Sequence, residues 1–290
     1  MADPSTFPKP FPFTNKWHAE PYPLISPERP ELSVAGKNVI VTGGGTGIGN
    51  AIATAFAKAG AKTLTIIGRR VERLENGVAS IRAAAPDSKT AVSYEAADLT
   101  SSAEVDKALD NIVSKGGKID IVISNAGTLP DPGLIVGYDA QTLMRAFELN
   151  TLTVFNVLQA FVPRAGADPV FVNISTNSAH MRPIAGIGAY SVSKAAGLKL
   201  VEQFSYENPG FHVVHLHPGT IPTAMNGNLE GAPDVAELPA SICVWLASPE
   251  ARFLKGKLIW SNWDVTELMQ RADEIKSSTL LNVNLNGVPM

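Results

Sequence analysis

Thr42-Gly43-Gly44-Gly45-Thr46-Gly47-Ile48-Gly49 joins the apolar, β-branched run Asn38–Thr42 to the alanine-rich stretch Asn50–Ala59. A buried strand, a glycine-rich turn and a helix in that order form the opening of a nucleotide site. Glycines let the backbone turn tightly and come close to a pyrophosphate, and the helix N-terminus offers free N–H groups and a partial positive charge to the anion. The position directly after the first strand, more than the glycines themselves, makes the turn specific.

Outward from this turn the pattern repeats. Thr63–Ile67, Thr90–Ala96, Ile119–Ser124, Pro169–Ile174, Phe211–Leu216 and Lys257–Trp260 read as further strands. Arg69–Ala84, Ala103–Ser114, Ala140–Phe161, Ala189–Glu207 and Pro239–Leu246 read as helices between them. Near-continuous apolar strands alternating with helices predict an α/β fold, a single Rossmann-like doubly wound parallel sheet of about seven strands with helices on both faces. The expected organisation is a Pro- and aromatic-rich arm over residues 1–36, one Rossmann-fold domain over 37–264 and a tail over 265–290. The arm carries Pro4, Pro8, Pro10, Pro12, Pro21, Pro23, Pro27 and Pro30, which exclude helix and central strand. It also carries Phe7, Phe11, Phe13, Trp17 and Tyr22, too many aromatics for a solvated leader, so at least Trp17–Leu32 is expected to dock on the domain or on a second subunit.

Composition narrows the partners. The 290 residues hold 24 Lys+Arg against 27 Asp+Glu, a net charge of -3, with no basic excess for nucleic acid. No run approaches the roughly 18 apolar residues of a spanning helix, so no membrane partner is expected. Neither a secretory nor a peroxisomal signal is expected, and the single cysteine, Cys243, suits a reducing compartment. A cytoplasmic location follows as the expectation. His212, His215 and His217 lie on or near one strand, and that strand leads straight into Pro218-Gly219, so packing rather than a metal site is expected; Cys243 and Trp245 read as core.

Four further blocks follow the glycine turn in order: Asp98-Leu99 after the third strand, Asn125-Ala126-Gly127 after the fourth, Tyr190-Ser191-Val192-Ser193-Lys194 opening a long helix, and Pro218-Gly219 after the sixth strand with Thr223 beyond it. Together they resemble the short-chain dehydrogenase/reductase family over residues 36 to 263. The resemblance implies that Gly43, Gly47, Ile48 and Gly49, with Thr46 in the turn, hold the cofactor pyrophosphate. It implies that Asp98, beside Leu99, accepts from the adenine amino group, and that Asn125, Ala126 and Gly127 border the adenosine ribose and brace the sheet. Pro218 and Gly219 lead to Ile221, by its backbone, and Thr223, which would fix the nicotinamide carboxamide. Tyr190 would be the acid/base. Lys194 would lower its pKa and bind the nicotinamide ribose, and Asn150 would hold a proton-relay water.

The second strand ends Ile66-Ile67-Gly68-Arg69-Arg70, with no carboxylate for a ribose 2′-hydroxyl. Guanidiniums suit a 2′-phosphate, so Arg69 and Arg70 favour NADP(H) over NAD(H). The family's substrate-binding serine is replaced. After the fifth strand the chain reads Ser175-Thr176-Asn177-Ser178, and alignment on the strand end selects Thr176, with Ser178 the alternative and Ser175 expected to point away. His180-Met181 either line the substrate pocket or merely shape the loop. A short segment between Thr223 and Pro239, with Met225, Asn226 and Asn228, suggests an open pocket for a bulky or polycyclic small-molecule substrate. Leu258-Ile259-Trp260-Ser261-Asn262-Trp263-Asp264 replaces the family's usual ending and, with Tyr22-Pro23 and Pro30–Ser33, resembles fungal members, many of which act in secondary metabolism. The expected activity is carbonyl–alcohol interconversion. Dehydration, isomerisation or cyclisation on the same fold, or a nucleotide-binding scaffold without turnover, are the alternatives. A homodimer or homotetramer is expected by the same resemblance.

Overall fold

The central strands send alternate apolar side chains to opposite faces and find helices on both. The computed structural model describes residues 12–285. Pro4, Phe7, Pro8, Pro10 and Phe11 of the arm and Gly287–Met290 of the tail lie outside the described residues. The strands are β1 Asn38–Thr42, β2 Thr63–Gly68, β3 Ala91–Ala96, β4 Ile119–Ser124, β5 Ala165–Ile174, β6 His212–His217 and β7 Leu258–Trp260. They form one sheet in the order β3-β2-β1-β4-β5-β6-β7, parallel throughout.

The period of two along the strands sorts the core. Val39, Val41, Ile121, Ile123, Val172 and Val214 face α1 (Gly47–Lys58), α2 (Val71–Ala84) and α7 (Glu237–Leu246), where Phe56, Leu74 and Trp245 fill the layer. Ile40, Val122, Phe171 and Val213 face α3 (Ser102–Gly116), α5 (Thr153–Phe161) and α6 (Gly188–Glu207), against Leu109, Phe161 and Val201. Cys243 and Trp245 are wholly buried on α7, and burial pushes the Cys243 thiol up. His212, His215 and His217 are buried on β6 and held neutral by loss of solvent, at about 4, about 3 and about 3. Among the described residues no group of three His, Cys, Asp or Glu side chains is arranged to hold a metal ion, and no helix is long and apolar enough to cross a membrane.

The region expected to be one helix, Ala140–Phe161, is continuous but carries a π turn. α4 (Ala140–Phe147) runs into a π-helical turn at Glu148–Leu152 before α5 begins. The apolar periodicity runs through it because a π turn adds one residue without ending the helix. The added residue swings Asn150 inward. Its Oδ1 accepts from Thr128 N at 2.8 Å, and its Nδ2 donates to Thr128 O at 3.0 Å and to Ser193 Oγ at 3.1 Å.

The arm docks on its own chain. Ile25 and Leu32 are wholly buried in the same layer as α1 and α7. Arg29 Nη2 donates to Glu250 Oε1 at 2.8 Å, and the other oxygen of that carboxylate accepts from Trp245 Nε1 at 3.1 Å. Trp17 makes a β-bridge with Trp263, and the Tyr22 hydroxyl accepts from Val265 N at 2.9 Å. Asp264 caps α8 (Val265–Gln270) by accepting from Glu267 N, and α9 (Ala272–Ser277) follows. Burying Leu32 in the central layer predicts that Leu32→Ala lowers stability by about 2–5 kcal/mol, as for core leucines generally. Denaturant unfolding with an unchanged slope checks this; a loss below about 0.5 kcal/mol would mark the arm as a surface tether.

Candidate active site

The C-terminal ends of β1 and β4 are adjacent, and the strand order runs outward in opposite directions from them, so the sheet opens a crevice there. The crevice is a cleft of about 580 Å³. Of the residues expected to hold a cofactor, Gly43, Thr46, Gly47, Ile48, Gly49, Arg69, Arg70, Asp98, Leu99, Asn125, Ala126, Gly127 and Thr223 all line it. Pro218, Gly219 and Ile221 do not. Gly219 is turned onto the Asp234 carboxylate, which accepts from Thr220 N at 2.6 Å, and Ile221 is buried with its carbonyl accepting from Asn226 Nδ2 at 2.8 Å.

The glycines answer to crowding as well as to conformation. Gly47 has φ +54, which disfavours other residues. A Cβ on Gly49 would stand 2.4 Å from Gly43 O and 2.5 Å from Asn125 Nδ2, so a side chain there is excluded. Thr46 occupies the N-cap of α1 but makes no capping hydrogen bond, which leaves the first-turn N–H groups open to an anion. A backbone cradle that any side chain would fill, at an uncapped helix N-terminus, fits a dinucleotide pyrophosphate.

At one end of the cleft three guanidiniums converge. Arg69 and Arg70 were expected; Arg73, one turn along α2, joins them. Burial and then the charges of Arg73 and Arg69 push Arg70 below the usual arginine range. Arg69 Nη1 lies 3.9 Å from Asp98 Oδ2. Desolvation raises the Asp98 pKa, but hydrogen bonds from Thr100 N and Oγ1, with Arg69 and Arg145 nearby, outweigh it and hold the carboxyl below its ordinary range. The i, i+4 spacing of Arg69 and Arg73 was the sequence signal for the third arginine. Thr128, Leu129, Leu149, Thr153, Ala224 and Met225 also line the cleft and carried no such signal.

Tyr190 and Lys194 stand one turn apart on α6 and do not line the cleft themselves, nor do Thr176 and Asn150. They adjoin it through Gly127, where a Cβ would lie 2.9 Å from Asn150 Oδ1 and 3.8 Å from Lys194 Nζ. Lys194 is buried, and Nζ donates to Ile174 O at 2.7 Å; burial brings its pKa down to about 8. Burial raises the Tyr190 phenol above its ordinary value, and a hydrogen bond with the Thr176 side chain offsets part of the rise. Of the three hydroxyls Thr176 is the one that acts on Tyr190, and its Oγ1 also donates to Asn177 Oδ1 at 3.3 Å. Ser178 instead gives its N–H to Thr176 Oγ1 at 3.3 Å, and Ser175 is buried with no hydrogen-bond partner for Oγ. The Asn150 side chain is engaged by Thr128 and Ser193, so it braces the turn after β4 against α6.

Comparison with known proteins agrees with this arrangement. The family model described as short chain dehydrogenase matches residues 37–233. The "Short chain dehydrogenase citE" of Monascus ruber is 31% identical over 95% of this chain and 97% of its own. The "Short chain dehydrogenase/reductase AacuD" of Aspergillus aculeatus is 30% identical over 94% and 96%. A solved short chain dehydrogenase from Burkholderia cenocepacia, in complex with NADP, superposes with a TM-score of 0.72 at 26% identity, covering 80% of this chain and 99% of that one. With the glycine turn, the strand order and the tyrosine–lysine helix all in place, the chain belongs to the short-chain dehydrogenase/reductase family of oxidoreductases.

Proposed function

We propose that the protein is an NADP(H)-dependent oxidoreductase that interconverts a carbonyl and an alcohol on a bulky or polycyclic organic molecule, in fungal secondary metabolism. The observation that carries this reading is the hydroxyl pair Thr176–Tyr190 beside the buried Lys194, next to a cleft floored by glycine. When bound in the cleft, the nicotinamide dinucleotide supplies or accepts the hydride. Gly43, Gly47, Ile48 and Gly49 would hold its pyrophosphate at the α1 N-terminus and Asp98 its adenine, with Thr223 packed beside Gly47. Thr176 donates a hydrogen bond to the substrate oxygen. Tyr190 would give its proton to that oxygen in reduction and take it back in oxidation. The phenol's raised pKa keeps it protonated at neutral pH, in the form that can donate to a carbonyl oxygen. Lys194 binds the ribose hydroxyls and, as an ammonium, stabilises the tyrosinate left after proton transfer.

Arg69, Arg70 and Arg73 support the phosphorylated cofactor, since three like charges at one cleft end call for an anion. Self-association is part of the same reading, supported by exposed Met144, Leu152, Phe155 and Tyr206 on α4, the π turn, α5 and α6.

Oxidation of NADPH with a panel of small aliphatic and large aromatic ketones tests the reaction. Tyr190→Phe is expected to lose turnover by about 10²–10⁴-fold while still binding NADPH; full activity of that variant, or no turnover with any carbonyl despite tight cofactor binding, would sink the assignment. Arg69→Ala is expected to weaken NADPH about tenfold or more, the loss of a charge-assisted contact, and to leave NADH unchanged. Equal weakening of both cofactors refutes the 2′-phosphate contact. With Lys194 at about 8 and active as the ammonium, kcat/KM for reduction is expected to stay level below pH 7 and to fall as pH rises past about 8. Lys194→Arg, which keeps its charge, should carry that falling limb to higher pH, and a limb unmoved in this variant would assign it to another group.

A further inference from the structure

Behind Thr176 the chain makes a tight turn of 3-10 type over Asn177–Ala179, and two imidazoles grip it. Asn177 N donates to His217 Nδ1 at 3.1 Å. His180, at the far end of the turn, accepts from Trp260 Nε1 through its Nε2 at 3.2 Å. Trp260 meets both rings edge-on, His217 with centroids 4.6 Å apart and His180 at 5.9 Å. It lies opposite His217 in the β6–β7 register and is 5% exposed.

The hydrogen-bond directions fix the tautomers. Burial lowers the pKa of both histidines, more than the Thr176 backbone restores at His180, so both rings are neutral near pH 7. A neutral His180 that accepts at Nε2 carries its proton on Nδ1, and that nitrogen is buried with no hydrogen-bond partner. A neutral His217 that accepts at Nδ1 carries its proton on Nε2. One indole thus orders one ring by a hydrogen bond and the other by packing, and the two rings bracket the turn that carries Thr176.

We propose that Trp260 is a positioning residue of the reaction, acting through His180 and His217 to hold the Thr176 hydroxyl against Tyr190. The proposal rests on the reading of Thr176 and Tyr190 as catalytic residues. Nothing in it requires Trp260 to touch substrate or cofactor. The support behind the indole is substantial: Trp263 stacks parallel to it at 5.9 Å, and Trp17 of the arm meets it edge-on at 6.0 Å. Losing the indole N–H frees the orientation of His180, while an aromatic ring kept at this position still presents a flat face to Trp263 and Trp17.

The test is a double-mutant cycle on the full chain, with NADPH and the best ketone of the panel. Trp260→Phe keeps an aromatic ring and removes the donor. It is expected to lower kcat about five- to tenfold, the size of one lost neutral hydrogen bond, with NADPH Kd near wild type and a lowered melting temperature, since the smaller ring leaves part of a buried site empty. Thr176→Val removes the hydroxyl. In the Thr176→Val background, Trp260→Phe is expected to cost less than twofold further, because its effect passes through the group already removed. An equal cost in both backgrounds, an unchanged kcat in Trp260→Phe, or a parallel loss of NADPH binding overturns the positioning role and leaves the catalytic reading standing. If Thr176→Val and Tyr190→Phe both retain wild-type kcat, the catalytic reading itself fails and the positioning role falls with it.

Discussion

Two backbone N–H groups, those of Asn125 and Ala126, converge on the single hydroxyl of Thr42 at 3.0 and 3.1 Å. Thr42 is the last residue of β1 and wholly buried. Its carbonyl takes the Asn125 side-chain amide as well, at 3.1 Å. These contacts tie the turn after β4 to the end of β1, which is where the strand order reverses. Buried polar groups at a strand end are costly unless paired, so the geometry of this join is strongly determined. The Asn125 side chain then leaves no room for a Cβ at Gly49. The glycine turn, the α1 N-terminus and Gly127 inherit their positions from this one cluster, and the cleft is the space they leave.

The same logic explains which parts could be read from the chain. Backbone geometry imposes residue types locally: Gly47 needs a positive φ, Gly49 needs empty space, and the alternation in β1, β4 and β5 needs apolar residues on both faces. Those requirements leave a pattern in the sequence, so the sheet and its glycine turn are legible there, whereas Tyr190 and Lys194 stand out only through the family resemblance. The π turn at Glu148–Leu152 is not legible, because it preserves the apolar periodicity of Ala140–Phe161 and declares itself only through what Asn150 meets across the domain. Nor could spacing show the contacts that fix the segment after β6, where Asp234 accepts from Thr220 N and Asn226 donates to Ile221 O. The His180–Trp260–His217 cluster joins three separate segments and leaves no local periodicity at all.

Burial sets the electrostatic character of the catalytic corner. A lysine beside a tyrosine would be expected to pull the phenol down. Here desolvation dominates both groups: it raises Tyr190 and lowers Lys194, and the first partner of Lys194 is the Ile174 carbonyl. The contact that draws Tyr190 downward is the Thr176 hydroxyl. In such a corner the position of one hydroxyl has leverage on proton transfer, because in a low-dielectric site a hydrogen bond counts for more than in water. The threonine methyl adds to this by restricting χ1, so the hydroxyl's direction is governed by the backbone of the turn it starts.

That dependence gives the two chain ends a place in the chemistry. The arm and the segment after β7 are interlocked: His18 Nε2 pairs with Asp264 Oδ2 at 2.9 Å, His18 stacks on Tyr22, and Asn262 Nδ2 bridges His18 O and the buried Asp234 carboxylate. Asp264 feels desolvation upward, but the His18 hydrogen bond and the Glu267 N–H hold it below its ordinary range, so it stays ionised and keeps the clasp closed near neutral pH. Phe13, Trp17, Trp260 and Trp263 fill the space between. A glycine-rich ending to β7 would offer no indole to reach His180 and nothing for the arm to cover. Once a tryptophan occupies that position, its outer face must be shielded from water, and the arm's aromatics are what shield it. The arm and the strand ending are therefore one packing unit: a buried indole placed behind the Thr176 turn, and the segment that makes its burial possible.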